Sequence, residues 1–128
     1  MQLTRDDYGA WLGRYIAAWR SYDADAIRDL FATEAVYSYR AGTRVVHGHD
    51  AIVEAWLTDR DEPGTWDAHY EPLAIEADVH VAIGWTRYLD GEEIRDEYSN
   101  VFVCRFDDAG RCSEFTEWWM LIEREDRG

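Results

Sequence analysis

Residues 94–122 read IRDEYSNVFVCRFDDAGRCSEFTEWWMLI, two runs of alternating side chains on either side of Asp107-Asp108-Ala109-Gly110. Alternation sends successive side chains to opposite faces of a sheet, and Asp-Asp-Ala-Gly is turn chemistry, so the segment is predicted to be a long antiparallel hairpin. A hairpin of this length carries one wall of a core and a second surface behind it. On its second strand Phe115, Glu117 and Trp119 share one face. If the two aromatics look into a core, so does the carboxylate between them, and a buried carboxylate is costly unless it is paired or wetted. Glu117 is therefore the most informative side chain in the sequence.

The rest of the chain supplies packing for that hairpin. Thr4 followed by Asp7 starts a helix in which Tyr8, Trp11, Leu12, Tyr15, Ile16 and Trp19 recur at helical spacing, ending near Tyr22. Asp23 caps a shorter helix through Ala26, Ile27, Leu30 and Phe31. Residues 35–39 read as a strand, Ala41-Gly42 as a turn, and residues 44–46 as its short return. A third helix is predicted over 50–58, with Ile52, Val53, Trp56 and Leu57 as its apolar stripe. DRDEPGTW then forms a loop long enough to act as a flap. Strands over 66–75 and 79–89 lead into the hairpin. Helices first and a meander of strands afterwards define an α+β fold, three N-terminal helices packed on one face of a curved, mainly antiparallel sheet.

At 128 residues the chain is expected to be a single domain, residues 1–128, able to bury a core without staples. Its net charge of −14, with no basic block, argues against nucleic acid and anionic membrane as partners. The start MQLTRDDYGAW has no signal pattern and no apolar run reaches spanning length, so a cytoplasmic protein is expected. The two cysteines make no metal spacing. Counting outward from the turn, Cys104 and Cys112 are expected on opposite faces of the hairpin, which argues against a disulfide. His47 and His49 lie at a helix start, and His69 and His80 on strands without a ligand pattern, so neither a metal nor a cofactor is expected.

The runs RYIAAWRSYDADAIRDLFATEAVYSY, GHDAIVEAW and DDAGRCSEFTEWWM resemble the nuclear transport factor 2 superfamily of cone-shaped α+β domains, and specifically its SnoaL-like branch. The resemblance spans about residues 7–120 and implies the cone fold. That superfamily holds ketosteroid isomerases, epoxide hydrolases, polyketide cyclases and scytalone dehydratases, along with members that catalyse nothing, so chemistry has to come from the site. The isomerase's oxyanion tyrosine corresponds to Tyr15, but its general base falls on Tyr39 and its neutral aspartic acid on Phe102, which disfavours that mechanism. The last aspartate of the epoxide hydrolase pattern falls on Glu117, and its Arg-x-Asp falls on Trp85 and Arg87, so the dyad is not reproduced.

Parity along the strands places Tyr37, Tyr39, Trp85, Arg87, Tyr98, Asn100, Phe102, Phe115, Glu117 and Trp119 on the inner face, under a roof of Tyr15, Trp19 and Trp56. An acid and a base among aromatics and hydroxyls suit proton transfer on a small hydrophobic carbonyl or polyol substrate, in a cyclase, dehydratase or isomerase sense. Glu117 is the expected acid/base, Tyr15 and Tyr39 stabilise the oxygen, and Arg87 with Asn100 orient the substrate. Three alternatives stay open: Glu117 as a structural partner of Arg87 or of a backbone amide, the cone as a non-catalytic holder of an apolar ligand, and the chain as a dimeric interaction domain. The opposite sheet face, with Val101, Val103, Thr116, Trp118 and Met120, is expected to join a homodimer.

Overall fold

A computed structural model describes residues 1–39 and 44–126; the expected Ala41-Gly42 turn lies outside them. Helix α1 (Arg5–Ser21) begins where Thr4 Oγ1 accepts the Asp7 amide at 3.1 Å, and it ends at Tyr22, whose backbone turns left-handed at φ 50°. Its Tyr8, Trp11, Leu12, Tyr15 and Ala18 face the sheet and are buried. Asp23 Oδ1 caps α2 (Ala24–Leu30) by accepting from the amides of Asp25 and Ala26. The chain then passes directly into β1 (Phe31–Tyr39), four residues earlier than alternation indicates. Strand β2 (Arg44–His47) leads through Gly48, at φ 87°, to α3 (His49–Thr58). Strands β3 (Trp66–Glu76), β4 (Val79–Asp90), β5 (Glu93–Phe106) and β6 (Cys112–Leu121) follow, and a 3-10 turn covers Arg124–Asp126.

The six strands form one sheet in the order β2-β1-β6-β5-β4-β3. Every pairing is antiparallel except β1 with β6, which sets Tyr37 beside Phe115 and Tyr39 beside Glu117. The helices cover the inner face, so the fold is the α+β cone expected from the sequence. The deep core gathers Trp11, Phe31, Phe102, Phe106 and Phe115, all at most 3% exposed.

Two parity expectations are corrected. The β5–β6 turn is tied by Asp107, whose Oδ1 accepts the amides of Ala109 and Arg111, with Gly110 at φ 78°. Next to it the register jumps from Arg105↔Glu114 to Phe106↔Cys112, leaving Ser113 as an extra residue. This bulge turns Cys112 inward, and both thiols are buried in the core as free cysteines rather than lying on opposite faces. On β4 the inner positions are His80, Ala82, Gly84, Thr86 and Tyr88, so Trp85 and Arg87 stand on the outer face. Arg87 pairs there with Glu97 and stacks on the Trp85 ring at 4.1 Å.

The β4 inversion has a packing cause. Its inner face is built from small and polar residues because Tyr70, directly opposite Gly84, lays its ring over that position. A Cβ at Gly84 would stand 1.9 Å from the His69 carbonyl oxygen and 2.6 Å from the Tyr70 ring. The bulk of β4, Val81 and Ile83 together with Trp85, belongs to the opposite face.

Candidate functional site

Between the helices and the inner sheet face lies a cavity of about 540 Å3. Helix α1 and its cap supply Tyr15, Trp19 and Tyr22, and α3 with its end supplies Ala55, Trp56 and Asp59. The sheet contributes Tyr37, Tyr39, Arg44, Tyr70, Thr86, Tyr88, Arg95, Asp96, Tyr98, Asn100, Glu117 and Trp119, and the following loop Asp61. Nine expected residues therefore meet here: Tyr15, Trp19, Tyr37, Tyr39, Trp56, Tyr98, Asn100, Glu117 and Trp119. Phe102 and Phe115 point the same way but sit beneath the wall, each 1% exposed, packed ring to ring at 4.9 Å. Trp85 and Arg87 are not part of the site.

Two polar groups organise the wall. In the first, the Tyr15 and Tyr37 hydroxyls are 3.0 Å apart, and Tyr37 donates towards the Glu117 carboxylate. Both rings are fixed by stacking on Phe115, at centroid distances of 5.4 and 4.5 Å. In the second, Tyr70 Oη lies 2.6 Å from Thr86 Oγ1, which donates to Asn100 Oδ1 at 2.8 Å.

Burial pushes the Glu117 carboxyl up to about 7 from an ordinary 4.5, and hydrogen bonding from Tyr37 opposes the rise. The carboxyl retains some exposure, which is directed into the cavity it lines. Arg87 does not act on it, because that side chain is on the other side of the sheet. The Glu117–Arg87 pair, one of the sequence alternatives, is thereby excluded. Burial, followed by the Glu117 charge, raises Tyr39 to about 12 and holds Tyr15 and Tyr37 well above the usual phenol range. All three are protonated hydroxyl donors at neutral pH.

The loop after α3 is tied to α1 and its cap at the edge of the cavity. Trp19 Nε1 donates to Asp61 Oδ2 at 3.0 Å, and the Asp61 amide donates to Tyr22 Oη at 2.7 Å. The expected flap is thus pinned to α1. Arg95 and Asp96 pair at 3.0 Å on the facing strand. Among the described residues no three His, Cys, Asp or Glu side chains are grouped to hold a metal. His80 is a packing residue, its Nε2 accepting from the Leu3 amide at 2.9 Å and its Nδ1 lying near the Asp78 and Cys104 carbonyls.

Parity missed Thr86 and Tyr88 because of the β4 slip, and Tyr70 because β3 was read without its partner. The available signal was Gly84: a glycine in mid-strand marks a close approach, here of an aromatic ring.

The model of the SnoaL-like domain family matches residues 12–115, most of the chain, and the protein belongs to that family. Glu117 lies just beyond the matched span. Among solved structures the chain resembles an NTF-2 like protein of unknown function from Burkholderia xenovorans LB400. The TM-score is 0.71 at 13% identity, covering 93% of this chain and 87% of that one, and this likeness bears on the fold. No curated protein matches the sequence.

Proposed function

We propose that the protein is a cofactor-independent acid/base enzyme that moves a proton on a hydrophobic carbonyl or polyol substrate, in a cyclase, dehydratase or isomerase sense. The observation that carries this reading is Glu117: a carboxyl lining an aromatic cavity, in no ion pair among the described residues, and pushed by burial up to about 7. A group poised at the operating pH both takes and returns a proton. Glu117 removes a hydrogen from the carbon next to the substrate carbonyl, the C–H electron pair becoming an enolate. Return of that proton to another carbon isomerises the substrate, and its delivery to a departing hydroxyl dehydrates it. Attack of the enolate carbon on a second carbonyl closes a ring. Tyr37, backed by Tyr15, sets the basicity of Glu117, and Tyr39 donates to substrate oxygen.

The test is exchange of the α-hydrogens of 2-tetralone in D2O, followed by proton NMR. The protein is expected to accelerate exchange above buffer, with a rate rising through pH 7 as Glu117 ionises. Glu117→Gln should lose about 10²-fold or more of that acceleration. Equal exchange by the variant and the parent overturns the reading.

The outer sheet face supports a homodimer. Ile83↔Val101↔Trp118 and Val81↔Val103↔Thr116 run across β4, β5 and β6, and Met120 beside them is 50% exposed. No described helix is long and apolar enough to cross a membrane, and a cytoplasmic location remains part of this proposal.

A further inference from the structure

Asn100, expected from the sequence to orient the substrate with Arg87, is left to that task alone, since Arg87 lies on the outer face. It is 6% exposed, it lines the cavity, and its Oδ1 is occupied by the Thr86 hydroxyl. Thr86 spends its only hydrogen on Asn100, so the hydrogen between Tyr70 and Thr86 must come from Tyr70. The chain therefore runs one way, from the Tyr70 O–H to the Thr86 O–H to the Asn100 carbonyl. In the opposite sense the Tyr70 hydrogen would have no acceptor among the described residues. Donation into an amide carbonyl draws charge from its nitrogen and strengthens the remaining N–H donors. Those donors have no acceptor among the described residues. The nitrogen is also not sealed in protein, since His49 Nδ1 is the buried unpartnered atom among the described residues. The Asn100 amide therefore opens on the cavity.

Its position relative to Glu117 gives this donor a purpose. Phe102 is paired with Glu117 and Asn100 with Trp119, so Asn100 and Glu117 are diagonal neighbours on the inner face. Diagonal residues stand about 7 Å apart, enough for a carbonyl and its adjacent carbon to lie between them. The Tyr15 hydroxyl, by contrast, is committed to Tyr37.

We propose that Asn100, polarised through Thr86 by Tyr70, binds the carbonyl or enolate oxygen of the substrate as a second donor beside Tyr39, and that the substrate is a flat ketone presenting its α-hydrogen to Glu117. Asn100 is the contacting residue; Thr86 and Tyr70 are positioning residues. Gly84 completes the device, because the Tyr70 ring reaches Thr86 only by lying over a residue without a side chain.

The inference rests on the acid/base reading, and its test is kept separate from that reading. Equilibrium dialysis of the full chain with 2-naphthol and with naphthalene compares two flat probes, of which only the first carries an oxygen in the enolate position. The parent is expected to prefer 2-naphthol. Asn100→Leu should weaken 2-naphthol by about tenfold while leaving naphthalene within about twofold, as loss of one buried hydrogen bond implies. Thr86→Val should reduce the preference by about threefold, and Thr86→Ser should restore it. If Asn100→Leu does not fold, the Thr86 pair carries the test. A parent with no preference overturns the proposal. So does an unchanged preference in the variants, or equal weakening of both probes. Failure of Glu117→Gln to slow tetralone exchange would sink the acid/base role without altering the naphthol preference, so the two failures are distinguishable.

Discussion

At the scale of single residues, Glu117 shows how a site is held at the expense of the fold. Its carboxyl keeps a proton in the folded state up to about pH 7, whereas the unfolded chain releases it near 4.5. Between these values the folded protein binds more protons than the unfolded one, so stability falls as pH rises. The contribution of Glu117 is fully present below 4.5 and is lost by the time pH has passed 7. At 1.36 kcal/mol per pH unit the penalty at alkaline pH is about 3 kcal/mol at most. Glu117→Gln keeps an acceptor for Tyr37 and removes the charge. The variant should unfold at higher denaturant than the parent at pH 8, with the gap closing towards pH 4.5. Parallel stability curves for the two proteins would show that Glu117 titrates in its ordinary range.

At the scale of elements, the sheet is set by what lies opposite each residue. Gly84 faces Tyr70, and Gly84→Ala would drive a methyl group into the His69 carbonyl as well as the ring. Since backbone has to move, the loss should be about 2–3 kcal/mol, read as a lower denaturation midpoint. The same pairing explains what the sequence disclosed. Helix caps at Thr4 and Asp23, the hairpin about Asp107 to Gly110, and the inner set of β5 and β6 were legible because each is written locally, as a cap, a turn or an alternation around Glu117. Trp85 and Arg87 were misplaced because β4 reverses the usual rule, its outer side being more apolar than its inner one. Cys112 was misplaced because a single bulged residue, Ser113, changes parity without any composition signal. Thr86 and Asn100 become a unit only through pairing across two strands, which no local pattern records.

At the scale of the whole molecule, the proposed dimer has to assemble against like charge, since each chain carries −14. Apolar burial on the face bearing Ile83, Val101, Trp118 and Met120 must outweigh that repulsion, so association should strengthen as salt screens it. Trp118→Glu, in the middle of this face, should give a folded monomer by light scattering on a sizing column. A variant that stays dimeric would assign the interface elsewhere. The strand order carries a last consequence, for biosynthesis. Strand β6 is the last of these six to be made, yet it lies between β1 and β5. Until it leaves the ribosome the nascent chain holds two separate half-sheets, each with a bare inner edge open to mispairing. A chain stopped before Cys112 would lack both the carboxylate and the strand that joins the halves, so fold and chemistry are completed together when β6 is made.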